Sequence, residues 1–240
     1  MPEIHTPSPP ETHAPEHFSE WNEQMIRKYD PDVFHHHPKG IVRWVETRRA
    51  SAVIRSIDAR PEHSILDVGC GTGNILSQLP GNQRCGIDLS RFMVTRAREK
   101  LGPGVQVLLG DAEQLPFPSA SFDRVIASSL FSHVQHPDRV AAELKRVVKP
   151  SGRIVVSVSD EDQIEKGLRL AKALFFDRLF LRPTTGTGGE VGVFNVEYHY
   201  NRFSRKRMRD VLGEGVVERS LKRVPFLFPV HWVAIYEQKV

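Results

Sequence analysis

The chain has 240 residues, 33 Lys and Arg against 29 Asp and Glu, a formal net charge of +4, and only two cysteines, Cys70 and Cys85. Two cysteines exclude a disulfide framework and a four-cysteine iron–sulfur cluster, and they fit a reducing compartment. No basic start leads into an apolar core, and no uninterrupted apolar run is long enough to cross a bilayer, so a cytoplasmic location is expected.

Residues 1–17 hold Pro2, Pro7, Pro9, Pro10 and Pro15 among polar residues and read as a disordered tail. From 18 to 240 one domain is expected, because its apolar fraction and its alternating strand and helix patterns suit a single α/β core. The block 18–60 reads as two helices in which Trp21, Met25, Tyr29, Phe34, Ile41 and Trp44 recur among charges, with Trp44 packed against a sheet. His35, His36 and His37 are consecutive, and consecutive side chains converge poorly on one ion, so no metal site is expected.

The core, 61–160, opens on Ser64-Ile-Leu-Asp-Val-Gly-Cys-Gly-Thr-Gly-Asn74. Ile65, Leu66 and Val68 form a buried strand, and Gly69, Gly71 and Gly73 let the backbone turn and bring its N–H groups up to a ligand. A dinucleotide fingerprint would need glycine or alanine at Asn74. Asp67 would repel a diphosphate and attract a cationic or amine-bearing ligand, and S-adenosylmethionine, with its ammonium and sulfonium and no phosphate, has that chemistry. A second strand ends at Asp88, Ser90 caps a helix from Arg91 to Leu101, and a third strand runs from Val105 to Leu109. The fourth strand is Phe122 to Ala127. A helix from Pro137 to near Lys149 is closed by Pro150-Ser151-Gly152, and a fifth strand runs from Arg153 to Val158.

The insertion, 161–203, carries a helix from Ile164 to Leu181 that is apolar nearly all the way round, a Thr- and Gly-rich loop from Thr184 to Gly192, and an extended stretch, Glu197 to Asn201. Residues 204–240 read as a helix capped by Ser204, overlapping the basic run Arg202 to Arg209, and a final hairpin with arms Val216 to Val224 and Phe226 to Glu237.

Leu66-Asp-Val-Gly-Cys-Gly-Thr-Gly73 resembles the first motif of class I S-adenosylmethionine-dependent methyltransferases, and the following acids keep that family's order. Phe122-Asp-Arg-Val through His133-Val134 and Leu144-Lys-Arg-Val-Val-Lys-Pro-Ser-Gly152 are similar to its small-molecule branch, which includes quinone-biosynthesis methyltransferases. The resemblance implies a doubly wound, mostly parallel seven-stranded Rossmann-like sheet with an N-terminal helical lid and a helical insertion after the fifth strand. It implies S-adenosylmethionine as cofactor and S-adenosylhomocysteine as product. Asp88 would take the ribose hydroxyls, Leu89 and Met93 would pack near the adenine, and Asp111 and Ala112 would meet the adenine edge. Ser128 would face the methionine end, and Tyr29 of the lid the sulfonium. No catalytic residue is fixed; His133 and His199 are candidates for a base by type and position. The expected acceptor is a small molecule, apolar or lipid-like. The chain lacks the Asn/Asp-Pro-Pro-aromatic signature of enzymes acting on flipped bases, so nucleic acid is disfavoured. A peripheral membrane contact and the oligomeric state stay open, as does a non-catalytic cofactor-binding module.

Overall fold

The computed structural model describes residues 15–30, 32–37, 40–81, 83–160, 163, 166, 200–201, 203–224 and 231–239. Apart from Lys166, the expected insertion helix lies outside these residues, as do the 184–192 loop, His199 and 1–14 of the expected tail. Helix α1 (Pro15–Tyr29) begins inside that tail, and α2 (Val33–His36) and α3 (Gly40–Ile57) follow where two helices were expected.

Seven strands form one sheet: β1 (Ile65–Val68), β2 (Arg84–Asp88), β3 (Gln106–Leu109), β4 (Phe122–Ser128), β5 (Val148–Ser159), β6 (Val216–Val224) and β7 (His231–Gln238). Their spatial order is β3-β2-β1-β4-β5-β7-β6. β1 pairs in parallel with β2 and β4, β2 with β3, and β4 with β5, whereas β7 runs antiparallel to both β5 and β6. The order reverses between β1 and β4, and in open parallel sheets such a switch opens a crevice at the strands' carboxyl ends.

Strand alternation sorts the core onto the two faces. Leu66, Val68, Val125, Ala127, Ile154 and Val156 pack with α5 (Pro137–Val147) and α6 (Arg205–Leu212), while Ile65, Ile126 and Val155 pack with α3 and α4 (Arg91–Leu101). All four residues of β1 are buried, as a strand covered on both faces requires. Local chemistry fixes the helix ends. The Ser90 hydroxyl accepts from the Met93 N–H, Gly102 ends α4 at φ 66°, Pro137 starts α5, and the Ser204 hydroxyl accepts from the Arg207 N–H.

Two expectations change. α5 stops at Val147 and β5 begins at once, running through Pro150, whose missing N–H is tolerated where the β4 pairing jumps register between Phe122 and Arg124. At Gly152 a Cβ would lie 2.6 Å from Val148 Cγ2 and 2.9 Å from the Lys149 carbonyl, so this turn needs glycine for close approach. Trp44 is 40% exposed, with Arg48 over its ring, because α3 buries the opposite arc of Val42, Arg49, Val53 and Ser56. Of the expected second hairpin arm, residues 226–230 lie outside the described chain, and β7 spans His231–Gln238. Among the described residues, no helix is long and apolar enough to cross a membrane.

The glycine loop also packs closely on β2. A Cβ on Gly86 would lie 2.8 Å from Cys70 Sγ and 2.9 Å from Leu76 Cδ1. Gly86→Ala is therefore expected to cost about 2 kcal/mol through overpacking and to lower the thermal midpoint by about 5 °C, read by calorimetry. An unchanged midpoint would show that the loop relaxes freely.

Candidate functional site

The crevice at the sheet switch is a cavity lined by the ends of β1, β2 and β4, the loop after β3, and α1. The glycine turn that forms its floor has positive φ at Gly69 (70°), Gly71 (53°) and Gly73 (77°). Gly69 and Gly71 line the cavity, and a Cβ at Gly69 would lie 2.8 Å from Leu130 Cδ1. Gly73 is not in the lining; a Cβ there would lie 2.6 Å from Leu101 Cδ1, so it serves packing of the turn against α4.

Two buried carboxylates, Asp67 and Asp88, line the cavity beside this floor. Asp88 accepts from the Gly71 N–H at 2.8 Å and the Ser90 N–H at 2.9 Å. Burial raises its pKa, with those amides pulling the other way. Asp67 is 1% exposed, and its Oδ1 is buried with no hydrogen-bond partner among the described residues. Burial and then the Asp88 charge push Asp67 up to about 8 against the pull of Arg49. A buried carboxylate oxygen left unsatisfied costs stability, and such groups concentrate at ligand sites. An ammonium would satisfy Asp67, while a phosphate would meet both acids and be repelled.

Of the other expected contacts, Leu89, Met93, Asp111, Ala112, Ser128 and His133 line the cavity. Asp111 Oδ1 accepts from the Glu113 N–H at 2.8 Å, an Asx turn that shapes the loop after β3. Ser128 sits between Arg49 Nη1 (2.5 Å) and Ser157 Oγ (2.9 Å). The Tyr29 side chain lies outside the described residues. His35 lines the cavity and His37 is buried; among the described residues no group of three or more His, Cys, Asp or Glu is placed to hold a metal ion.

Several residues at this site carry no local signal in the sequence. Glu23 of α1 accepts from Ser90 Oγ (2.6 Å) and the Phe92 N–H (3.3 Å), setting an acid at the N-terminus of α4. Asp32 Oδ1 accepts from Thr72 Oγ1 (2.9 Å) and Asn74 Nδ2 (2.7 Å), and Arg96 bridges Asp30 (2.7 Å) and Asp32 (2.9 Å). Burial opposes ionisation of Asp32, but the bonds from Asn74 and Thr72, with Lys100 and Arg96 nearby, hold its carboxyl below the usual range. Asn74, the residue that departs from the dinucleotide fingerprint, is thus a tie between the glycine turn and the segment joining α1 and α2. Asp32→Ala removes three partners at once. It is expected to speed cofactor dissociation about tenfold by stopped flow, since charged hydrogen bonds of this kind contribute about 1.5–3 kcal/mol each and part of that is shared with Asp30. An unchanged rate would show that this segment does not restrain the ligand.

A family model described as a methyltransferase domain matches residues 66–156. The chain is 34% identical over 111 residues to the ubiquinone/menaquinone biosynthesis C-methyltransferase UbiE of Cupriavidus pinatubonensis, covering 43% of this chain and 46% of that protein. It is 39% identical over 108 residues to the demethylmenaquinone methyltransferase of Streptomyces avermitilis, again covering 43% of this chain and 46% of the relative. The match therefore spans about half the length of these curated relatives. In fold it is similar to the magnesium protoporphyrin IX methyltransferase of Synechocystis PCC 6803 with bound S-adenosylhomocysteine, at TM-score 0.65 and 15% identity over 92% of this chain and all of that one. Taken with the switch-point cavity, the glycine floor and the phosphate-averse acid pair, these matches identify residues 66–156 as a methyltransferase domain and support S-adenosylmethionine as its cofactor.

Proposed function

We propose that this protein methylates a small apolar acceptor of the quinol or lipid-like kind. The observation that carries the reading is the apolar part of the lining that shares the cavity with the acid pair: Phe18 and Ile26 of α1 with Leu130 and Val134 after β4. That wall suits an apolar acceptor, and relatives named for quinone C-methylation support it.

When bound, S-adenosylmethionine supplies a methyl group activated by a sulfonium. The chain's own contribution is to bind, align and exclude water. Asp67 would hold the cofactor's ammonium and Asp88 its ribose, while α1 contributes Phe18, Asn22 and Ile26 to the cavity lining. Phe18 stacks edge-on with Tyr200 at 5.4 Å, and the Tyr200 and Asn201 N–H groups both donate to the Ser132 carbonyl. The chain leaving the insertion is thereby tied to the turn that carries His133. His133 lines the cavity, and in this reading it takes the proton that the acceptor loses.

The basic run after Ser204 argues against nucleic acid as acceptor. Arg209 is paired with Glu218 (2.5 Å), Arg205 lies over the Trp232 ring, and Arg207 lies over the Phe203 ring and donates to Asn201. These cations are used within the chain. Incubation with methyl-labelled cofactor and fractionated cell extract, alongside a demethylated quinol, is expected to place label in the small-molecule or lipid fraction. Label confined to nucleic acid or protein, or tight cofactor binding with no label anywhere, would overturn the reading.

A further inference from the structure

One stripe of surface is used neither by the cofactor site nor by the core. Among the described residues three large apolar side chains are exposed, and two of them, Ile41 (43%) and Trp44 (40%), stand one turn apart on α3. At about 100° per residue, Ile41, Trp44, Arg48 and Arg55 fall within about sixty degrees of one another, and a rise of about 1.5 Å per residue makes the stripe about 20 Å long. Arg48 lies over the Trp44 ring, its Cζ 5.5 Å from the centroid. Arg55 and Arg43, which also donates to the His37 carbonyl, are exposed on the same outward side.

The charge on this face has one sign. α3 holds four arginines and a single acid, Glu46. Glu46 is turned to the opposite arc, where its side chain is 14% exposed and Arg49 holds it at 2.6 Å. Arg49 is buried with it, so the outward arc presents Arg43, Arg48 and Arg55 with no carboxylate among them. Asp58, just past the helix end, faces Arg153 at 3.6 Å. A lone exposed apolar residue needs no explanation, but a tryptophan and an isoleucine set among arginines match the boundary between lipid headgroups and acyl chains. Tryptophan places an apolar ring and a polar N–H at that depth, and arginine stems let their guanidinium groups reach phosphate oxygens.

We infer that the outward arc of α3 docks on an anionic bilayer surface, with Trp44 and Ile41 in the headgroup layer and Arg43, Arg48 and Arg55 on lipid phosphates. Other occupants match the face less closely. Two apolar side chains fall far short of the roughly 800 Å² per partner that a stable protein interface covers. A nucleic acid would pair with the arginines but leave Ile41 without an apolar partner. The opposite arc of the same helix carries Arg49 into the cavity lining, so α3 lying on the surface holds the cavity about one helix diameter, roughly 10 Å, from lipid. That is where an apolar acceptor dissolves. The inference deepens the proposed acceptor reading and rests on it for what docking delivers, while the contact itself rests on α3.

Co-sedimentation of the full chain with vesicles tests the contact. The wild type is expected to partition about a hundredfold more strongly onto equimolar phosphatidylcholine and phosphatidylglycerol than onto phosphatidylcholine alone, at about fivefold for each of three arginines. Salt at about 0.5 M should release most of it. Trp44→Ser should weaken partition about tenfold, and Arg48→Glu combined with Arg55→Glu about a hundredfold. Melting temperature and calorimetric affinity for S-adenosylmethionine should stay at wild-type values in both variants. Turnover of a demethylated quinol dissolved in the anionic vesicles should fall in both, and turnover of a short-chain, water-soluble analogue should not. A wild type that ignores anionic vesicles, or vesicle binding that survives both variants, would overturn the inference. So would self-association or RNA binding that Trp44→Ser abolishes in a protein that stays off vesicles. Vesicle binding lost in both variants, with no methyl transfer to any quinol or lipid, would uphold the docking face and sink the acceptor reading, which keeps the two failures apart.

Discussion

Replacing Asp88 with alanine is expected to raise the dissociation constant for S-adenosylmethionine about a hundredfold, or roughly 3 kcal/mol. Two effects add. The ribose loses a charged acceptor at the end of β2, and the Gly71 and Ser90 N–H groups, which Asp88 now accepts at 2.8 and 2.9 Å, lose their partner. The second effect loosens the glycine floor and weakens the start of α4, where the Ser90 hydroxyl still accepts from the Met93 N–H and Glu23 from the Phe92 N–H. Because Asp88 is itself a buried acid with a raised pKa, its removal relieves a desolvation cost, and thermal stability should change less than affinity. Isothermal titration calorimetry beside a melting curve separates the two. An affinity within about threefold of wild type would show that β2 does not hold the ribose.

The second large effect is a pH profile set by Asp67. With its pKa pushed to about 8, Asp67 is mostly protonated in the free protein at neutral pH and must lose that proton to pair with the ligand's ammonium. Affinity should therefore rise with pH up to about 8 and fall beyond it, where the ligand's own α-amino group, ordinarily near pH 7.7–8.0, loses its proton. Binding at about pH 6.5 should release close to one proton, measured as the dependence of the calorimetric enthalpy on buffer ionisation. Asp67→Asn should abolish the acid limb and the proton release. For the free protein the sign is that of a raised acid: the folded state binds this proton more tightly than the unfolded chain, so the stabilisation is complete below the unfolded value near 3.8 and lost as pH climbs through about 8. Ligand-free Asp67→Asn should accordingly melt higher than ligand-free wild type at about pH 9. A flat affinity profile, or a destabilised asparagine variant there, would count against the buried, unpaired state of Asp67.

The floor of the cofactor site is legible in the chain because short-range rules produce it. Positive φ is cheap only at glycine, so Gly69-Cys-Gly-Thr-Gly73 announces a turn, and an apolar strand before it announces a sheet edge. Ser90 and Ser204 are caps because a hydroxyl three residues before an N–H reaches it whatever the tertiary fold. The acids Asp67, Asp88 and Asp111 could be placed at successive strand ends for the same reason. The boundary of β5 was not legible. Pro150-Ser151-Gly152 has the composition of a helix stop, and only the register jump against β4 makes it part of a strand.

The rest of the site comes from residues distant in sequence. Glu23 reaches Ser90 across 67 positions, Asp32 reaches Asn74 across 42, and Arg49 reaches Ser128 across 79. Glu46 meets His231 only because β7 is inserted antiparallel beside β5. No window of sequence contains both members of any of these pairs, and a lone Glu or Arg in an amphipathic helix is ordinarily a solvated surface residue. By itself, then, the sequence determined the strand and helix order, the glycine turn and the acids that a cationic adenosyl ligand requires, since these follow from backbone sterics and hydrogen bonds within a few residues. The tertiary structure alone decided which charges from α1, α3 and β7 find partners around that cavity, because the partner of a buried charge is chosen by sheet topology and by the desolvation that burial imposes.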